Sequence, residues 1–295
     1  MAALGVHVVM ACRNMERAEA AISDVRKEIE ETLEKRHKKG GDHPKEWTTF
    51  GIPQVQSVDD VSLEAMALDL SDLASVRSFV NAFQAKHQHL HYLILNAGVV
   101  TTEKRRSAQG HELMFATNHL GHFFLTTLLL DTLAASSPAR IVVVSSEAHK
   151  FCGPLNEDLK LVSDPPEFGL KSAMSLYGVS KLCNLLFTLH LNKLLKEKES
   201  HVSINAVHPG TVNTELGRET PWYLSWIVKP ISQLFFRSPE EGARTSVYCA
   251  VSPEVEGVGG KYFSNEREEK PKPYAVDEAT AAALWAYSEE LVKDF

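Results

Sequence analysis

Arg140-Ile141-Val142-Val143-Val144-Ser145-Ser146 is a run of branched apolar residues that ends in two hydroxyls. Its apolar positions are consecutive rather than alternate, the pattern of a strand covered on both faces, as in a parallel sheet between layers of helices. Similar runs lie on either side of it at Val6–Ala11, Ala65–Leu68, His91–Leu95, Val202–Val207 and Lys261–Phe263. Between them, helical periodicity predicts Met15–Lys35, Leu73–Lys86, Gly110–Leu133, Ser175–Leu195, Pro239–Ala250 and Asp277–Lys293. Strands alternating with helices predict an α/β fold, a doubly wound, Rossmann-like parallel sheet. A length of 295 residues suits one large domain, and we read 1–295 as one.

Composition narrows the function. A formal charge of −7 has the wrong sign for holding nucleic acid by phosphate neutralisation, so no nucleic-acid partner is expected. The cysteines Cys12, Cys152, Cys183 and Cys249 are far apart, which suggests neither a zinc site nor a disulfide framework. His119, His122 and His149 have no carboxylate or cysteine to complete a ligand set, and no metal is expected. The most apolar window, Leu120 to Ala135, is interrupted by His122 and Asp131, so no membrane span is expected. Residues 36–62, charged and rich in glycine and proline around His37–Pro44, read as a solvated surface insertion.

The chemistry gathers at strand ends, because the carboxyl end of a parallel strand faces the ligand crevice. Ser146 ends the central run with a hydroxyl able to donate to a carbonyl oxygen. Asn96-Ala97-Gly98 follows a strand with small residues that let a ligand approach the backbone. Asn205 to Thr214 carries a strand into the turn Pro209-Gly210. In Tyr177-Gly178-Val179-Ser180-Lys181 the tyrosine and lysine stand four apart and share a helix face. A phenol with a pKa near 10 needs its anion stabilised to exchange protons at neutral pH, and a neighbouring ammonium does this.

In order, Asn96-Ala97-Gly98, Ser146, Tyr177-x-x-x-Lys181 and Asn205…Pro209-Gly210-x-Val212-x-Thr214 resemble the motifs of the short-chain dehydrogenase/reductase family. Within it, Ala11–Asn14, Phe115–Phe123, Val144–His149 and Ser180–Asn184 resemble the group of retinol dehydrogenases, the WW-domain oxidoreductase and polyprenol dehydrogenases. The resemblance implies an oxidoreductase that interconverts an alcohol and its carbonyl by hydride transfer. Tyr177 would relay the proton, Lys181 would lower its pKa and hold the nicotinamide ribose, and Ser146 would steady the substrate oxygen. Asn118 would hold the water that links Lys181 to solvent. Asp69 with Leu70 would border the adenine and Asn96, Ala97 and Gly98 the adenosine side, while Pro209, Gly210, Val212 and Thr214 would border the nicotinamide.

Arg13 and Asn14 stand where an acidic residue would select NAD, so NADP is the expected cofactor. The aromatic stretch Pro221 to Phe236 suits a lipophilic alcohol such as a retinoid. No G-x-x-x-G-x-G turn occurs. The family's first strand and phosphate-binding turn are therefore expected to be absent from an N-terminally truncated chain, with weakened cofactor binding. A catalytically silent, partner-binding scaffold is the rival reading. In the family the helices around Gly110–Leu133 and Ser175–Leu195 often form dimer faces, so the resemblance implies that a homodimer can form, and a cytoplasmic or endoplasmic reticulum-associated location is expected.

Overall fold

The computed structural model describes residues 1–38, 48–50, 52–156, 158–165, 170–209 and 239–295. They fall into two compact units, Met1–Asp69 with Val251–Glu254, and Leu70–Ala250 with Val255–Phe295.

In the first unit, β1 (Val8–Cys12) leads through Arg13 and Asn14 into α1 (Met15–Lys38). Asn14 starts that helix by accepting a hydrogen bond from the Arg17 N–H at 2.9 Å. A two-residue hairpin follows, β2 (Thr48–Thr49) antiparallel to β3 (Ile52–Pro53), and then β4 (Leu63–Ala67), which pairs in parallel with β1. The expectation of a solvated insertion over 36–62 fails at its carboxyl end. Val55 and Val61 are buried with Ala2 in a small apolar cluster against Val8, Ile29 and Leu63. The Val55 N–H also donates to the Ala3 carbonyl at 2.8 Å. Val55 and Val61 stand among Gln56, Ser57, Asp59 and Asp60 and form no apolar run, so periodicity did not reveal them.

The second unit holds α2 (Leu73–Lys86), β5 (Tyr92–Leu95), a helical run over Leu113–Ala135, β6 (Ala139–Val144), α5 (Lys160–Ser163), α6 (Leu170–Glu197) and β7 (Val202–His208). After these come α7 (Pro239–Val251), β8 (Tyr262–Ser264), β9 (Arg267–Glu269) and α8 (Glu278–Val292). Strands β5, β6, β7 and β8 are parallel neighbours in that order, and β9 closes the edge antiparallel. The fold is α/β, a mostly parallel sheet with flanking helices. β6 is buried at every position but Arg140, and β7 at every position but His208. That two-sided cover is why their apolar residues are consecutive. Asp72 and Asp277 cap α2 and α8 by accepting from Ala74 N and Thr280 N, at 3.1 and 2.8 Å.

The run over Leu113–Ala135 is α3 (Leu113–Phe115), one π-helical turn (Ala116–Leu120) and α4 (Gly121–Ala135). Its most apolar 18-residue window has a mean hydropathy of 1.2, enough by length and composition to cross a membrane, yet 83% of that window is buried inside the protein. The burial makes it a core helix. Gly121 sets how closely it docks, because a Cβ there would stand 2.3 Å from the Leu70 carbonyl oxygen. Backbone cannot swing aside as a side chain does, so Gly121→Ala is expected to destabilise the protein by about 1–3 kcal/mol, read as a lower denaturant midpoint.

Candidate active site

The adjoining carboxyl ends of β5, β6 and β7 deliver the first groups. Beyond β6, Ser146 leaves the sheet in extended conformation and its hydroxyl accepts from Ala148 N at 3.2 Å, capping a 3-10 turn over Glu147–Lys150. The His149 ring donates through Nδ1 to the Ser146 carbonyl at 2.6 Å, and the Tyr274 hydroxyl donates to the His149 carbonyl at 3.1 Å. Glu147 pairs with Lys150 and accepts from the Tyr262 hydroxyl at 3.0 Å. Ser146 is thus held from both sides of its turn.

Tyr177 and Lys181 come from α6. Gly178 brings that helix against the Ser146 turn, since a Cβ there would meet the Ala148 carbonyl oxygen at 2.7 Å. From that turn the Ser146 hydroxyl acts on the Tyr177 phenol and favours its ionised form. Lys181 Nζ lies 5.8 Å from the Tyr177 ring centroid and donates to the Val144 carbonyl at 2.9 Å. Burial lowers the lysine to about 8. It also raises the Tyr177 phenol above its ordinary value, and the Ser146 contact offsets only part of that rise. Loss of solvation thus works against the expected acidification of Tyr177 by Lys181.

Asn118 sits in the π-helical turn, a backbone irregularity that turns its side chain toward β5's exit. Its Nδ2 donates to the Val99 carbonyl and to Ser180 Oγ, both at 3.0 Å, while its Oδ1 accepts from Val99 N at 2.7 Å. Ser180 in turn donates to the Tyr177 carbonyl at 2.8 Å. A Cβ on Gly98 would lie 3.4 Å from both Asn118 Oδ1 and Lys181 Nζ. One place thus gathers a phenol, a hydroxyl, an amine, an amide and a backbone stretch without side-chain bulk. This donor set can exchange a proton with, and hydrogen-bond to, the oxygen of an alcohol or carbonyl.

The short chain dehydrogenase family model matches residues 52–156. Human retinol dehydrogenase 14 is 39% identical over 298 residues, covering 98% of this chain and 80% of its own length. The chain belongs to the short-chain dehydrogenase family. Human polyprenol dehydrogenase is 38% identical, covering 99% of this chain and 79% of its own length. Human WW domain-containing oxidoreductase is 39% identical over 98% of this chain, which spans 63% of that relative's length. Among solved structures, an uncharacterised protein of Mycobacterium paratuberculosis aligns with a TM-score of 0.65 at 27% identity, covering 97% of this chain and 84% of that one. L-Sorbose reductase from Gluconobacter frateurii shares the fold, with a TM-score of 0.56 at 16% identity over 88% of this chain and 84% of that one.

The short-chain dehydrogenase fold brings together Asn118, Ser146, Tyr177, Lys181 and Gly98. Asn96 and Ala97 are exposed directly beyond β5, and Pro209 is half-buried directly beyond β7. Gly210, Val212, Thr214 and the aromatic stretch Pro221 to Phe236 lie outside the described residues. Arg13 and Asn14 are exposed and Asp69 half-buried in the first unit. Leu70 is buried, with its carbonyl facing Gly121, which leaves its side chain with a packing role. Sequence reasoning did not single out Gly178 or Asn184. The first was legible as a residue without a side chain inside the Tyr177–Lys181 motif, and the second as a buried amide three residues after the lysine on the same helix.

Proposed function

We propose that this short-chain dehydrogenase interconverts a lipophilic alcohol and its carbonyl with NADP(H). The gathering of Tyr177, Ser146 and Lys181 about one place carries the reading. The dinucleotide supplies or accepts the hydride. Gly98 fits it, because the space a Cβ would fill borders Lys181 Nζ. Asn96, Ala97, Tyr177, Lys181 and Pro209 of the second unit would hold it.

In reduction, Tyr177 gives its phenolic proton to the carbonyl oxygen as that oxygen gains negative charge, and Ser146 donates a hydrogen bond to the same atom. The Lys181 ammonium then steadies the phenolate until a proton returns to it. In oxidation the same groups act in reverse. The names of two relatives, retinol and polyprenol dehydrogenase, support a long apolar alcohol. So does Phe151, 85% exposed immediately after the Ser146 turn. Arg13 supports NADP, since its exposed guanidinium suits the extra phosphate and no carboxylate stands beside it in sequence.

Titrating the chain with NADPH and NADH by fluorescence tests this reading. NADPH is expected to saturate and to bind more tightly, and Arg13→Ala to weaken NADPH about tenfold with little effect on NADH, the loss of one charge-assisted contact worth about 1.4 kcal/mol. No saturable binding below millimolar concentrations would leave the scaffold reading in its place.

A further inference from the structure

Behind Lys181 the second unit buries polar side chains that the proton relay does not use. His119, His122, Asn184 and Ser288 are 1%, 3%, 1% and 0% exposed. The Val144 carbonyl, at the end of β6, accepts from two of the neighbouring groups. Lys181 Nζ lies 2.9 Å from it and Asn184 Nδ2 3.1 Å. The two donors stand three residues apart on α6 and so reach the same oxygen.

Asn184 is itself held. Its Oδ1 and the Nδ1 of His119 are both buried without a hydrogen bond of ordinary geometry, yet the ring and the amide act on each other. On its other side, His119 Nε2 lies 3.0 Å from Ser288 Oγ, which also has the Leu284 carbonyl at 2.8 Å. A neutral imidazole has one N–H to give. With that proton on Nε2, Nδ1 and Oδ1 would both be left as buried acceptors without a donor. With it on Nδ1, His119 donates to Asn184 Oδ1 and accepts from the Ser288 hydroxyl at Nε2. The second arrangement satisfies both orphaned atoms and sacrifices only the Ser288 contact with Leu284, whose carbonyl is already at helix hydrogen-bonding position. It also fixes the amide with Nδ2 toward Val144.

We propose that Asn184, oriented by His119 and through it by Ser288 of α8, is a positioning residue for Lys181. Its amide shares the Val144 oxygen with the lysine and so sets where the amine sits and how firmly that oxygen holds its proton. The importance of this for turnover rests on the catalytic reading of Lys181, but the linkage itself does not. The titratable groups acting around Lys181 are Tyr177 on α6 and His122 at the start of α4, which Lys181 in turn disfavours charging; His119 lies one contact further out.

The test follows the Lys181 ε-carbon by NMR in the full chain with labelled lysine, its signal assigned by loss in Lys181→Arg. Asn184→Leu leaves the Val144 oxygen to the lysine alone, and the Lys181 midpoint is expected to rise by about half a pH unit, roughly threefold in its protonation constant. His119→Asn, which keeps a donor at the Nδ1 position, is expected to leave the midpoint in place. His119→Gln, which keeps one only at the Nε2 position, is expected to move it as Asn184→Leu does. The histidine pair decides the matter should Asn184→Leu not fold. An unmoved or lowered midpoint in a folded Asn184→Leu, or equal behaviour of the two histidine variants, overturns the proposal. Because the signal needs no turnover, it reads the linkage whether or not the oxidoreductase reading survives.

Discussion

Tyr177→Phe is expected to lower turnover of a lipophilic alcohol by about a thousandfold or more while NADPH affinity changes less than about threefold. General acid–base catalysis by a positioned side chain typically contributes about 10²–10⁴-fold, and the phenol is the group in this cluster placed to meet a substrate oxygen. The substitution removes one oxygen and keeps the ring, so the packing beneath Lys181 Nζ, 5.8 Å from the ring centroid, is retained. Ser146 retains Ala148 N as a partner for its hydroxyl. Hence no buried group is orphaned, and the denaturation midpoint should be nearly unchanged. Steady-state rates with a matched NADPH titration check both halves. Residual turnover within tenfold of the parent would remove Tyr177 from the proton relay and with it the reading of the site.

The buried phenol and amine also explain why a motif alone misjudges their acidity. Spacing shows that Tyr177 and Lys181 share a helix face, but it carries no information on how much water reaches them. Both groups are buried enough that their uncharged forms gain, the phenol shifting up and the amine down to about 8. A buried lysine lowered to about 8 keeps less of its charge than a solvated one and so supports a phenolate less. A bound dinucleotide and substrate change that balance by changing the surroundings, which a residue pattern does not encode.

Other parts were legible for identifiable reasons. β6 and β7 declare themselves through consecutive apolar residues, and α2 was bounded at Leu73–Lys86, where Asp72 caps it. Ser146, Tyr177 and Lys181 were legible as a hydroxyl at a strand end and a phenol and amine on one helix face, whereas Asn118 came only with the family resemblance. The π-helical turn at Ala116–Leu120 was not, because it is a backbone insertion inside an apolar helical pattern that reads as regular. Asn184 likewise looks like an ordinary polar residue on an apolar helix until β6 and His119, remote in sequence, close around it.

Acidification is expected to cost this protein much of its stability well above the pH at which most carboxylates protonate. His119 and His122 are fully buried, and burial, reinforced by each other's charge at His119 and by Lys181 at His122, lowers each from 6.5 to about 3. For a base whose folded pKa lies below its unfolded value, the unfolded chain binds more protons throughout the interval between them. Stability therefore rises with pH across that interval and is lost as pH falls from about 6.5 toward 3. Each group contributes a slope of about 1.4 kcal/mol per pH unit, so the pair gives about 2.8 and would remove roughly 5 kcal/mol between pH 6.5 and 4.5. That is comparable with the whole stability of a marginal domain, about 5–15 kcal/mol. Glu112 opposes the loss, because burial raises its carboxyl and the folded state then takes up a proton that the unfolded state does not. His149, lowered by burial, adds to the loss. Urea denaturation in closely spaced buffers from pH 7.5 to 4.5 measures the slope, and His122→Asn, which keeps an amide donor at the Nδ1 position for the Asn118 carbonyl, should remove about half of it. A free energy of unfolding that stays level from pH 6.5 to 5 would mean that the two imidazoles accept protons in the folded state, and that the core around Lys181 is open to water.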